Sequence, residues 1–244
     1  MHIRAPAMIC AVRPHGEHGA VVRVVIRDHG LMSGFVQGAH AREKRPLLIP
    51  ANEVAAELRA RTEAQLPSLS LELTHSRGPL MGEPLAAAAL TWLMVLTAHS
   101  LPEGHPYPHL YDALEGVLGA IEAAPAARGW AASVVRYELM VLTELGYGLD
   151  FGRCVVTGAT DDLRWVSPKS GGAVSGAAGD VYANRLLALP AFLRNGERAP
   201  QWEDILAGLM LTGHFLERHL FSDDRRDVFS ARGRLIDRLV KAAC

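Results

Sequence analysis

The chain has 244 residues, 25 of them Lys or Arg and 26 Asp or Glu, with a mean hydropathy of +0.10. Apolar residues make up 49% and charged residues 21%, enough for a buried core, which excludes wholesale disorder and a mini-protein that depends on staples. The length fits one or two ordinary domains.

The first 78 residues read as β-structure. Met8 to Val12, Val21 to Ile26 and Leu31 to Gln37 are rich in β-branched residues and separated by Pro14, Gly16, Gly19, Asp28 and Gly30, which predicts a three-stranded meander. Asn52 to Leu66 scores as helix on propensity, yet Val54, Ala56, Leu58, Ala60 and Ala64 alternate with charged residues, so period two predicts a fourth strand. After Pro67, Leu69, Leu71 and Leu73 alternate with Ser70, Glu72 and Thr74 as a fifth. Five short strands suit a small closed barrel, because closure hides strand edges.

From residue 79 the period becomes helical. Leu85 to Ala98 is nearly all apolar but 14 residues long, against the roughly 20 a bilayer requires, so it predicts a core helix that starts at Pro84 and ends at Ser100. A second helix carries Tyr111, Leu114, Leu118 and Ile121 on one stripe, with Pro125 past its end. A third, Ala126 to Leu145, carries Trp130, Val134 and Tyr137 and stops at Gly146 as a glycine cap. About 150–180, glycine and serine dominate, with strand-like Cys154-Val155-Val156 and Leu163 to Val166, which suggests an inserted subdomain. Helical period returns at Val181 to Ala188, Trp202 to Phe221 and Ser230 to Ala242, with Ser230 as N-cap.

No signature of chemistry accompanies these elements. There is no phosphate-binding G-x-x-x-x-G-K-[ST], dinucleotide fingerprint, G-x-S-x-G elbow, H-E-x-x-H helix or S-x-x-K. Ser167-Pro168-Lys169-Ser170 reads as a glycine-flanked loop, since no histidine or carboxylate pairs with it from sequence. Eleven histidines invite a metal, but His15 and His18 flank a turn, prolines separate His105 from His109, and His214 and His219 lie five apart on a helix, ~140° out of register. No metal or cofactor is expected. Three widely spaced cysteines and an N-terminus unlike a secretory signal point to the cytoplasm.

What remains is charge. Residues 1–80 hold ten Lys and Arg against seven Asp and Glu, a net of +3; the rest holds 15 against 19, a net of −4. The barrel is the basic end. Arg13, Arg23, Arg27, Arg42, Lys44 and Arg45 are its candidate nucleic-acid contacts, the last three on a flexible loop able to follow phosphates. Phe35 is the only Phe, Tyr or Trp in this region, so binding mainly by base stacking is not expected; phosphate contacts without sequence preference are.

Two stretches carry a resemblance. Val12-Arg13-Pro14-His15-Gly16-Glu17 with Asp28-His29-Gly30-Leu31 and Val36-Gln37-Gly38-Ala39 is one; Arg136-Tyr137-Glu138-Leu139 with Leu145-Gly146-Tyr147-Gly148-Leu149-Asp150 leading to Cys154 is the other. In order and spacing the chain resembles the bacterial recombination mediator family RecO over its whole length. The resemblance implies an α+β protein: a five-stranded OB-fold barrel over 1–78, then an α-helical domain over 79–244 with a degenerate zinc-finger-like insertion about 150–180. It implies a non-enzymatic mediator of DNA repair that binds single- and double-stranded DNA, RecR and the C-terminal tail of single-strand-binding protein, anneals strands and helps load RecA. Some members hold zinc through four cysteines; only Cys154 is present here, its partner positions being Thr157, Val174 to Ser175 and Ala178. One thiolate makes no tetrahedral site, so packing around Trp165 is expected to hold the segment. The family's loop arginine is His40. Arg136, matching a tail-binding motif, and more weakly Arg218, are the candidates for meeting the tail carboxylate. An RNA-binding or assembly factor with the same barrel is the rival reading, and a small-ligand enzyme using the helices a second.

Overall fold

The computed structural model describes residues 1–62, 65–124, 126–196, 200–221 and 226–243. It divides into two compact units, 1–122 and 123–244.

In the first unit, β1 (His2–His15), β2 (Gly19–Ile26), β3 (Gly30–Gln37), β4 (Glu53–Arg59) and β5 (Ser68–His75) form a closed barrel in the order β1-β2-β3-β5-β4, with β4 returning to β1. Alternation decides the inside. Ala20, Val22, Val24 and Ile26 of β2 meet Val54, Ala56 and Leu58 of β4, Leu69 of β5 and Val36 of β3 in the core. The seam between β3 and β5 is thin, one parallel bridge at Phe35 and Ser68. The fourth strand stops at Arg59 rather than continuing toward Leu66: Ala60 donates its N–H to the Met1 carbonyl as the chain turns away, and residues 63–64 lie outside the described set. The predicted flexible loop is instead a run of hydrogen-bonded turns, tied down where Ala39 donates to the His18 carbonyl and where Leu47 and Leu48 pack on the core.

Two helices complete this unit. Helix α1 (Pro84–Ser100) buries residues on every side, as its apolar composition demands, and α2 (Pro108–Ala123) buries Leu110, Tyr111, Leu114, Val117, Leu118 and Ile121. Pro125 lies outside the described residues. At the barrel's exit the buried Arg77 donates to the Ala51 carbonyl (2.8 Å) and Glu53 (2.7 Å), and its backbone N–H to Asn52 Oδ1 (2.9 Å).

The second unit packs α3 (Arg128–Glu144) against α6 (Trp202–His219), and α6 against α7 (Arg226–Ala243). Helix α3 buries Trp130, Val134, Tyr137 and Val141 at helical spacing. It ends as predicted: Gly146 is left-handed (φ 87°), Tyr147 N–H reaches the Leu142 carbonyl and Gly146 N–H that of Thr143. Between α3 and α6 lies a three-stranded sheet, order β7-β6-β8, from β6 (Leu163–Val166), β7 (Ala173–Ser175) and β8 (Leu187–Ala188), with the short helices α4 (Gly176–Gly179) and α5 (Phe192–Asn195).

Several expectations need correction here. Cys154 to Val156 form a turn, with Val155 and Val156 exposed. Val181 to Ala188 is not a helix: a 3-10 segment over Asp180–Arg185 breaks at Tyr182, after which Leu187 and Ala188 pair with Val166 and Trp165. The apparent apolar stripe fails because Val181 (80%) and Tyr182 (55%) face solvent, while the β6 edge offers backbone partners. Ser230 is not a cap but lies within α7. Nothing about the 150–180 sheet is zinc-finger-like in its donors: among the described residues no three His, Cys, Asp or Glu gather where a metal could sit. Trp165 does organise it, its ring against Gly179 and its Nε1 donating to Asp180 (2.7 Å). No helix among the described residues is long and apolar enough to cross a membrane.

Candidate nucleic-acid interface

Alternation leaves Arg13 of β1 and Arg23 of β2 on the barrel's outer face, among apolar neighbours such as Val21 and Val25. The six candidate cations on it meet different fates. Arg27 is clamped by Asp112 of α2 through Nε and Nη2 (2.7 and 2.8 Å), with Asp28 at 3.4 Å; the shared hydrogen bonds push the guanidinium's pKa up and hold the Asp112 carboxyl below its usual range. Arg23, its side chain only 21% exposed, donates to the Ala98 carbonyl and lies 3.3 Å from Glu103. Acids and carbonyls of the same unit thus occupy both.

The remaining four stay available. Arg13 is exposed on β1, its Nη2 3.5 Å from His99 Nε2. Lys44 spends one donor on the Gln37 carbonyl (2.6 Å) but keeps its charge. Arg42 and Arg45 are exposed, and neither has an ion pair among the described residues. The Ala39-to-His18 hydrogen bond holds the start of the 38–45 turns against the β1–β2 hairpin, where His15, His18 and His40 are also exposed. With Glu17 and Glu43 as the acids of the same turns, these four cations leave a net positive rim that attracts polyanions through counterion release.

In the second unit, Arg136 of α3 is half-buried, its guanidinium 5.2 Å over the Phe192 ring and 3.5 Å from the Phe192 carbonyl; burial lowers its pKa. It does not pair with Glu138. That carboxylate is buried and bonded by Arg232 Nε and Nη2 (2.8 and 2.9 Å) and by the Thr212 hydroxyl, a three-helix network that sequence reading missed because its members are up to 94 residues apart. Arg218 is spent on the carbonyls of Pro168 (2.6 Å) and Lys169 (3.2 Å). His214 also contacts the Pro168 carbonyl, which makes 167–170 a docked turn rather than a nucleophile's site.

Cys154 is enclosed by Thr157 and Ser175. Burial of the thiol raises its pKa, but hydrogen bonds to sulfur from Ser175 and Thr157 outweigh this and lower it to about 6. A single sulfur with hydroxyl and amide neighbours offers no donor set for zinc.

Comparison with known proteins decides the family. A model described as Recombination protein O N terminal matches residues 1–77, and one described as Recombination protein O C terminal matches 81–227. The chain belongs to the RecO family. Relatives named DNA repair protein RecO include that of Rhodospirillum centenum, 44% identical over 97% of this chain and 94% of its own, and that of Phenylobacterium zucineum, 42% identical over 99% of each. RecO membership fits a basic barrel joined to helices.

Proposed function

We propose that this protein is a DNA-binding recombination mediator acting in DNA repair. The barrel over 1–78, with the strand order of an OB fold, grips the phosphate backbone through Arg13, Arg42, Lys44 and Arg45, while Arg23 and Arg27 anchor its flanking helices. The observation that carries this reading is that Arg13, Arg42, Lys44 and Arg45, on β1 and the 38–45 turns, make no ion pair among the described residues, in a chain whose relatives are named for DNA repair.

The helical domain over 79–244 recruits proteins. Arg136, whose guanidinium lies over the Phe192 ring, is the cation for the carboxylate at the tail of single-strand-binding protein, with Arg218 the weaker candidate; RecR is the second partner. Holding the strand and the coating protein's tail together raises effective concentration at the junction, which helps anneal strands and load RecA without a catalysed bond change.

A gel-shift titration over salt tests the reading. Affinity for single strands and duplex should fall steeply with salt, and Arg42→Ala with Arg45→Ala should weaken both and reduce the salt slope by about two. Salt-insensitive binding, or unchanged affinity in the double variant, would remove the rim from the site.

A further inference from the structure

The barrel register aligns outward-facing residues of all five strands in one row. Arg13 lies opposite Val21, Val21 opposite Phe35, Phe35 opposite Ser68, and Ser68 opposite Arg59. With adjacent strands ~4.8 Å apart, Phe35 stands about 10 Å along the surface from each arginine-bearing strand. It is the lone Phe, Tyr or Trp of the barrel, yet none of it serves the core, whose β3 member is the next residue, Val36.

The ring has a prepared seat. It lies over Gly19, where a Cβ would come within 2.2 Å of Phe35 Cζ and 2.3 Å of Cε2, so only glycine lets it lie against the sheet. His15 meets it edge-on, with ring centres 6.0 Å apart at 80°. Beyond Ser68, Arg59, Arg61 and Leu66 line an open depression of about 710 Å³. Arg59 there gives one nitrogen to Glu57 (2.7 Å), which also meets His2, whereas Arg61 is exposed with no ion pair among the described residues.

We propose that this row is a one-base platform for single-stranded nucleic acid: an unpaired base stacks on Phe35, and the backbone crosses the barrel strands between Arg13 and Arg61. A ring with cations on both sides fits a strand whose base can be swung out. Duplex cannot use it, since its bases are paired and stacked at 3.4 Å along each strand. The inference rests on the barrel's binding DNA, and adds the strand discrimination that the Arg42–Arg45 turns alone lack.

Fluorescence anisotropy of the full chain with labelled oligothymidylate and with duplex tests it. Phe35→Leu should lower affinity for the single strand about tenfold and leave duplex affinity unchanged, and Phe35→Trp should restore the single strand. Arg61→Ala, an exposed change that keeps the test alive if the Phe35 variants misfold, should cut the single-strand salt slope by about one and spare duplex. Wild-type affinity for the single strand in Phe35→Leu, equal loss of both ligands, or an unchanged slope in Arg61→Ala would overturn the platform while duplex binding persists. Failure of the parent protein to bind either ligand would overturn the proposed function, and the platform with it.

Discussion

Replacing Glu138 with alanine is expected to be among the most damaging single changes in the second unit. Glu138 is fully buried and the Arg232 side chain is 4% exposed. Two charge-assisted hydrogen bonds, at 2.8 and 2.9 Å, join α3 to α7, and the Thr212 hydroxyl of α6 donates to the same carboxylate. The guanidinium lies so close over α6 that a Cβ at Gly213 would come within 2.4 Å of its Nη1. Removing the carboxylate strands a buried cation whose remaining partners among the described residues are the Leu209 carbonyl, the Thr212 hydroxyl and the Phe229 ring, a loss of ~3–5 kcal/mol. For a chain of this size that lowers Tm by about 6–20 °C. The double variant Glu138→Leu with Arg232→Met replaces the pair with apolar groups of similar volume, and Thr212 keeps the Gly208 carbonyl at 3.0 Å as acceptor, so most of the stability should return. A double-mutant cycle from urea midpoints measures the coupling. Coupling below about 1 kcal/mol, or a double variant as unstable as the single ones, would refute the reasoning.

Other consequences concern pH, thiols and turns. Arg27 holds the Asp112 carboxyl below its usual range, so the pair stabilises the fold above the unfolded carboxylate value of about 4 and is lost as pH falls through the depressed one. Melting curves of Asp112→Asn should therefore lie below the parent near neutrality and converge with it well under about pH 4; a constant gap would contradict this. Burial pushes the Cys10 thiol up to about 12, while hydrogen bonds bring Cys154 to about 6, so near pH 7 iodoacetamide followed by peptide mass mapping should modify Cys154 ahead of Cys10. Gly146→Ala forces a left-handed alanine into open space and should cost about 1–2 kcal/mol, whereas Gly30→Ala, whose Cβ would sit 1.9 Å from the His105 carbonyl oxygen, should cost clearly more in chemical denaturation. Equal costs would count against the close approach of that loop to β3.

The sequence by itself determined the elements whose buried face repeats locally. β-branched composition marked the strand from Val21 to Ile26, period two marked those at Val54 to Leu58 and from Leu69 onward, period 3.6 marked α1, α2 and α3, and Gly146 announced the end of α3. The same local rule misled at Val181 to Ala188 and beyond Arg59, where side-chain pattern says nothing of which backbone edge lies near. The basic character of the barrel was likewise legible as a count of charges. Which cations remain available was not, because Arg27 finds Asp112 85 residues away and Arg232 finds Glu138 94 away. Nor could a lone phenylalanine be recognised as standing between arginines until the register had set Arg13, Phe35 and Arg59 in one row. Local periodicity records how each segment meets the core; only closure of the chain on itself brings distant charges within hydrogen-bonding reach and fixes which strands are neighbours.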